Sequence, residues 1–340
     1  MQHYPVLLNE AIDLLNIKPN GFYIDGTFGR GGHSTVILHK LLNTGKLVAF
    51  DKDPLAINYA NTHEIFNSAK NFNIIHDSFA KMYDYLLSEL SGVSDNTNCG
   101  IIDGILLDLG VSSPQLDDSN QGFSFRFDSI LDMRMNNQSG QTAFEWLNTV
   151  NESDLSEVLW AYGEEINARK IAKNIIKYRV HNTIATTTQL VEIILSTVLK
   201  NYDPKNNTQL HFKKHPATKT FQAIRIFINR ELDDLKEFFT QLSLHKSLFK
   251  KDARIVIISF HSLEDRIVKE HFKKITQKTP LDDLPKWAIV STKDHSIVSS
   301  TIHNEVNDFS LLIKKIRPNI KELNENHRSR SAVMRAIIKN

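Results

Sequence analysis

Cysteine is almost absent from this 340-residue chain, and the one present, Cys99, has no partner within it. That excludes a disulfide framework and a cysteine-rich zinc site, and it suits a reducing cytoplasm. No apolar run approaches the length of a bilayer span, so no membrane partner is expected. The residues after Met1 lack the basic region and apolar stretch of an export signal. Charge of one sign is lacking too: 41 Lys and Arg stand against 39 Asp and Glu, a net charge of +2. A nucleic-acid partner would therefore have to be recognised through local patches. Two nucleotide signatures are also missing. There is no G-x-G-x-x-G fingerprint, and the only Gly-Lys pair, Gly45-Lys46, is followed by Leu47 rather than by the Ser or Thr of a P-loop. With 41% hydrophobic and 24% charged residues, the chain reads as globular, long enough for one large domain or two ordinary ones.

Against these absences stands Phe22-Tyr23-Ile24-Asp25-Gly26-Thr27-Phe28-Gly29-Arg30-Gly31-Gly32-His33. A short apolar run ends on a carboxylate, four glycines follow within seven residues, and a helix-like segment with Val36, Ile37, Leu38, Leu41 and Leu42 comes next. Glycines gather where backbone must turn tightly and lie against a ligand. The spacing is close to D-x-G-x-G-x-G, the loop of methyltransferases, with Thr27 in place of its first glycine. A tight turn in some other α/β protein is the plainer alternative.

Further short β-branched or apolar runs occupy residues 47–51, 72–76, 101–109, 254–260 and 332–338, with helical segments between them. Strands alternating with helices predict a parallel sheet covered on both faces. The gap between the fourth and fifth runs is too long for a single crossover. It carries capping boxes at Thr142-x-x-Glu145 and Thr186-x-x-Gln189, and helical stretches at 154–162 and 164–179. The expected architecture is α/β: a Rossmann-like class I methyltransferase sheet with a helical domain inserted after the fourth strand. Residues 1–115 and 214–340 would form the sheet domain, and 116–213 the insertion. Residues 91–100 and 276–301 read as loops.

Asp51 ends the second run, 26 residues after Asp25, where nucleotide folds place a ribose-binding acid. Phe79 follows the third run and could hold an adenine face or simply fill the core. The fourth run leads into Asp108-Leu109-Gly110-Val111-Ser112-Ser113-Pro114-Gln115. Enzymes that methylate exocyclic amines place there a tetrad of Asp, Asn or Ser followed by Pro-Pro and an aromatic. An amine conjugated to a ring is a poor nucleophile, so positioning dominates its methylation. Ser112-Ser113-Pro114-Gln115 is a relative of that tetrad, without its second proline or its aromatic. Phe123, Phe125 and Phe127 could supply a stacking face, or could be a strand packed on the core. Methylation of cytosine carbon 5 needs a cysteine nucleophile, and Cys99 precedes the fourth strand, at the wrong end of the sheet. Asp108, Ser113 and Pro114 are the candidate catalytic residues.

Several motifs in order now give the chain its resemblance. They are His3-Tyr4-Pro5-Val6-Leu7-Leu8-Asn9-Glu10, the glycine loop through Ser34, residues 107–118, and Leu131-Asp132-Met133-Arg134-Met135. His215-Pro216-Ala217-Thr218-Lys219-Thr220-Phe221-Gln222-Ala223 and Ile258-Ser259-Phe260-His261-Ser262-Leu263-Glu264-Asp265-Arg266 follow, with a looser match at Asn326-His327-Arg328-Ser329-Arg330-Ser331. Together they resemble the bacterial 16S ribosomal RNA (cytosine-N4)-methyltransferase family. The resemblance implies S-adenosylmethionine as cofactor, bound at Gly31, Gly32, His33, Asp51, Phe79, Asp108 and Gln115. It also implies a cytidine near the ribosomal P site as substrate, with 16S rRNA in the small subunit as partner, and it leaves room for a homodimer. A non-catalytic ribosome assembly factor and a nicotinamide oxidoreductase are the rival readings.

Between Lys205 and Arg230 stand six Lys or Arg and no acid, a pattern suited to a phosphate backbone. On one helix Phe221, Ile224, Phe227, Ile228 and Leu235 would form an apolar face. Thr218, Gln222, Arg225 and Asn229 would form a polar stripe opposite, open to RNA or merely to solvent. The segment from His261 to Arg266 could face the RNA, or its carboxylates could cap the next helix. His211 and His215 have metal-like spacing, but no neighbouring Glu completes a zinc motif, and no metal is expected.

Overall fold

The apolar runs form a seven-stranded sheet in a computed structural model of the chain, which describes residues 5–90, 100–199, 215–277 and 307–340. The strands are β1 (Phe22–Asp25), β2 (Lys46–Asp51), β3 (Phe72–His76), β4 (Ile102–Asp108), β5 (Phe249–Ser259), β6 (Phe309–Ile316) and β7 (Val333–Lys339). Their order is β3-β2-β1-β4-β5-β7-β6. Neighbours from β3 through β5 run parallel, whereas β7 is antiparallel to both β5 and β6. The fold is thus the Rossmann-like class expected, but its sheet is mixed rather than wholly parallel. Edge strand β6 carries two exposed lysines, Lys314 and Lys315, a common way to blunt an open edge.

Two compact units divide the described residues: one lies within 1–51, 56–109 and 235–340, the other within 52–55 and 110–234. In the first, alternation along the strands sorts side chains onto two faces. Ile24, Val48, Phe50, Ile105, Leu107, Ile255 and Ile257 pack with Tyr83 and Leu86 of α5 (Met82–Leu90), Phe238 of α12 (Glu231–Leu244) and Phe272 of α13 (Ser262–Thr276). Tyr23, Leu47, Ala49, Leu106, Val256 and Ile258 pack on the other side with Ile12 of α1 (Leu8–Leu15), Ile37 of α2 (Gly32–Lys40) and Ala60 of α3 (Pro54–Thr62). Each fully buried Ile or Leu contributes about 1.5–3 kcal/mol. Chain order reverses between β1 and β4, which brings the carboxyl ends of those strands together as a topological switch point.

The second unit is helical. Thr142 caps α7 (Ala143–Thr149) and Thr186 caps α10 (Thr187–Val198), each through its predicted capping box. Between them run α8 (Glu152–Gly163) and α9 (Ala168–Arg179). This unit reaches 234, beyond the 213 expected of the insertion, because α11 (Thr218–Asn229) buries Phe221, Ala223 and Ile224 in the helical core. Arg230 then adopts a left-handed φ of 54° and ends the helix. Leu235 therefore does not continue the apolar face of α11; it lies on α12, in the core beneath the sheet. Residues 122–127 form no strand: Phe123 is buried, Phe125 stacks on His215 at 4.5 Å, and Phe127 is exposed. Cys99, the 205–214 stretch with His211, and most of the 276–301 loop lie outside the described residues. No helix among the described residues is long and apolar enough to cross a membrane.

Candidate active site

The glycine loop springs from the end of β1 and is tied at both sides. The Gly26 N–H donates to the Leu106 carbonyl of β4 at 2.9 Å, and the Phe28 N–H to the Phe50 carbonyl of β2 at 2.9 Å. Asp51, at the end of β2, accepts the Gly29 N–H at 2.6 Å through Oδ2. The acid read as a ribose ligand therefore also clamps the loop. Phe79 follows β3 in a short 3-10 turn capped by Ser78 and stands edge-on to Phe238 at 6.2 Å. A Cβ on Gly26 would lie 2.8 Å from the Phe79 Cβ and 2.3 Å from Leu107, so the absence of a side chain at 26 lets both pack there.

The four glycines serve different ends. Gly31 has φ +69°, and a Cβ there would meet Phe66 at 2.3 Å. At Gly32 a Cβ would meet Pro5 at 2.2 Å. Both positions are filled by the protein itself, so packing demands glycine whatever the loop binds. Gly29 differs: φ is +58° and nothing lies within 4 Å of its Cβ position. There alone in the loop the backbone is left-handed and its face open, the geometry of a cradle for a ligand.

At the switch point one hydroxyl, that of Thr27, bonds both the Asp25 carboxylate of β1 and the backbone amide of Asp108 at the end of β4. Asp25 is buried; its Oδ2 accepts the Ser34 hydroxyl at 2.6 Å and its Oδ1 the Thr27 N–H at 3.1 Å. Burial pushes the Asp25 carboxyl up, and hydrogen bonds from Ser34 and Thr27 pull it back. The Asp108 N–H donates to the Thr27 hydroxyl oxygen at 2.6 Å. Burial first, then the charges of Asp25, Glu264 and Glu322, push the Asp108 carboxyl well above the usual range. His33 Nδ1 lies 3.6 Å from Asp108 Oδ2. Burial lowers the His33 pKa to about 4, against a backbone hydrogen bond with Val6. A neutral imidazole cannot relieve the carboxylate crowding at Asp108, so this contact is not an ion pair at neutral pH. His33 Nε2 and Asp108 Oδ1 are both buried and without a hydrogen-bond partner among the described residues. The side chain of Asp108 nevertheless keeps 23% exposure.

Gly31, Gly32, His33, Asp51, Phe79 and Asp108 thus all belong to the sheet unit, at or just beyond the carboxyl ends of its strands. Pro114 and Gln115 belong to the helical unit, in the first turn of α6 (Ser113–Asp117). Gln115 is buried there: Oε1 accepts the Ser112 N–H at 2.9 Å and Nε2 donates to Asp53 at 3.2 Å. The side chain of Ser113 lies outside the described residues. Asp25, Thr27 and Ser34 join these residues at the switch point, and their one signal in the sequence is the Thr at a position usually held by glycine.

His261 and Glu264 form a helix cap. His261 is the N-cap of α13, its Nε2 lies 3.2 Å from Glu264 Oε1, and Glu264 Oε2 accepts the Phe260 N–H at 2.8 Å. The polar stripe of α11 is likewise engaged inside its own unit. Arg225 holds Glu231 through two bonds of 2.8 and 2.9 Å, and the buried Asn229 accepts the Met135 N–H at 2.7 Å while donating to the Met133 carbonyl at 2.7 Å. Neither an open RNA-facing stripe nor a freely solvated one describes it.

The whole chain, residues 1–340, matches the MraW methylase family. The chain belongs to that family. A relative from Chromobacterium violaceum is 45% identical over 335 residues, spanning 98% of this chain and 93% of its own. One from Nitrosomonas eutropha is 44% identical over 333 residues, with 98% and 96% covered. One from Neisseria meningitidis is 42% identical over 334 residues, with 98% and 92% covered. All three carry the name ribosomal RNA small subunit methyltransferase H. As a member of the MraW methylase family the chain is a methyltransferase, and the nicotinamide reading is set aside. The residues present fit an adenosine-bearing methyl donor: Gly29 presents an open left-handed backbone, Asp51 stands at the end of β2, and Asp108 keeps part of its surface exposed beside the loop.

Proposed function

We propose that this chain transfers a methyl group from S-adenosylmethionine to the exocyclic N4 of a cytidine in the decoding, P-site region of 16S rRNA, in the cytoplasm. The observation that carries the reading is the switch-point assembly of the open Gly29 backbone, Asp51 and Asp108. The small-subunit rRNA methyltransferase name borne by relatives at 42–45% identity supports the substrate class. The Ser112-Ser113-Pro114-Gln115 turn after β4 supports an amine acceptor rather than a ring carbon.

Gly31, Gly32, His33, Asp51, Phe79, Asp108 and Gln115 would hold the cofactor, which when bound supplies an electrophilic methyl group. Asp51 would bind the ribose hydroxyls while keeping the loop closed through Gly29. Asp108 would orient the acceptor amine, held in place by Thr27 at its backbone amide. No strong base is needed beforehand, because the amine gives up its proton readily only once the nitrogen has become cationic. A carboxyl pushed upward by burial, and then by neighbouring carboxylates, is suited to receive that proton. Ser113 and Pro114 would border the acceptor. The helical unit would grip folded RNA by shape, and the cytidine would be reached single-stranded or flipped out.

Incubating the purified chain with methyl-tritiated S-adenosylmethionine and small subunits from cells lacking this modification tests the reading. Label should enter 16S rRNA and be lost in Asp108→Ala. Label confined to ribosomal protein would overturn it.

A further inference from the structure

The helical unit holds a second feature that methyl transfer does not use: a pocket of ≈ 300 Å³ walled by Trp146, Val158, Tyr162 and Phe227, with Asp154 and Glu157 on its rim. Phe227 lies over the buried Trp146 with ring centroids 4.6 Å apart, and 36% of Phe227 remains exposed. Asp154 and Glu157 are exposed. The Tyr162 hydroxyl is pushed up by burial, then by the charges of Asp233 and Glu157, with Arg230 acting the other way. From Asn151 to Asn167 there are five acids (Glu152, Asp154, Glu157, Glu164, Glu165) and no Lys or Arg. Trp160, 60% exposed, stands one turn beyond Glu157 on α8.

We propose that this pocket docks a basic peptide segment by taking an arginine side chain. Aromatic walls with carboxylates at the rim match a guanidinium twice over, through stacking on the ring faces and through charge-assisted hydrogen bonds. The same carboxylates repel phosphate, so charge complementarity selects a cationic protein segment over RNA. Arginine is preferred to lysine, because only its planar head both stacks and forks onto a carboxylate. The occupant is a protein partner of a nucleic-acid-modifying enzyme, engaged at a surface other than the one that holds its methyl donor.

Calorimetry on the full chain tests this with a blocked peptide of alternating arginine and glycine, its lysine and glutamate counterparts, and a short single-stranded RNA. The arginine peptide should bind more tightly than the lysine peptide, and the glutamate peptide should not bind. Glu157→Gln should weaken the arginine peptide about fivefold, as for loss of one exposed ion pair. Phe227→Leu should weaken it further at an unchanged circular dichroism spectrum. Equal affinity in wild type and both variants would overturn the proposal. Displacement of the peptide by the RNA would assign the pocket to nucleic acid instead. A dimer seen by sedimentation and dissociated by Glu157→Gln would make a second copy of this chain the occupant and equally overturn it. None of these outcomes depends on methyl transfer, so this proposal and the assignment of the reaction fail separately.

Discussion

The backbone amide of Asp108 and the side chain of Thr27 meet at 2.6 Å, joining the end of β4 to the loop that leaves β1. The Thr27 hydroxyl also bonds to the Asp25 carboxylate, so one side chain ties that carboxylate to the backbone of Asp108 at the switch point. Thr27→Val keeps the shape and removes both bonds. We expect a loss of about 1–3 kcal/mol in stability, the cost of leaving a buried donor unpaired. We also expect a fall in kcat larger than any rise in KM for the cofactor, since Asp108 would lose its register. Thr27→Ser should restore both; a valine variant with wild-type kcat would show that Thr27 only packs.

The two left-handed glycines of the loop, Gly29 and Gly31, should respond differently to alanine. Gly29→Ala pays only the backbone cost, about 1–2 kcal/mol, yet fills the open face and should weaken cofactor binding sharply in calorimetry. Gly31→Ala adds the clash with Phe66 and should cost a further 1–3 kcal/mol or so, about that of overpacking a core. A comparison of melting temperatures with cofactor affinities separates the two. If Gly31→Ala is stable while Gly29→Ala binds normally, the assignment of the open face is wrong.

Asp51 accepts the Gly29 amide as a charged group, an interaction worth about 1.5–3 kcal/mol. Asp51→Ala should therefore weaken cofactor binding at least about tenfold, from the loosened loop and from the lost ribose contact together. Calorimetry reads it directly. Unchanged affinity would remove Asp51 from the site.

His33 titrates at about 4 in the fold against an ordinary 6.5. Its folded pKa is lowered, so the unfolded chain binds more protons between those values. His33 therefore contributes stability that is present above about pH 6.5 and is lost as pH falls toward 4. Asp108, with its pKa raised, works in the opposite sense, its penalty easing as it takes up a proton. The difference between wild type and His33→Gln isolates the histidine. Denaturant unfolding should show the wild type losing its advantage between pH 6.5 and 4. An offset independent of pH would mean that His33 is not held neutral by burial.

Much of this was legible in the residue order, and the rest was hidden for identifiable reasons. Strands β1 and β3 begin and end where their apolar runs do, because β-branched residues there are bounded by Gly, Asp and Asn. Both capping boxes in the helical unit announced their helices. Strand β6 carries no apolar run continuous along its length, with three of its eight residues exposed and only one buried, and β7 runs antiparallel, a direction that no local pattern encodes. The polar stripe of α11 looked like a surface because Asn229 and Arg225 are polar. Their partners, Met133, Met135 and Glu231, become neighbours only once the chain has folded or the helix has ended at Arg230. At the site, Asp51 and Asp108 were visible as carboxylates ending apolar runs. The Thr27 bridge was not, since it spans 81 residues.

The central claim is the acceptor atom. Purified chain, S-adenosylmethionine and unmodified small subunits should yield, after digestion of the 16S rRNA to nucleosides, a product that co-elutes in mass spectrometry with synthetic N4-methylcytidine. Methyl on the ribose oxygen or on ring carbon 5 would contradict the account.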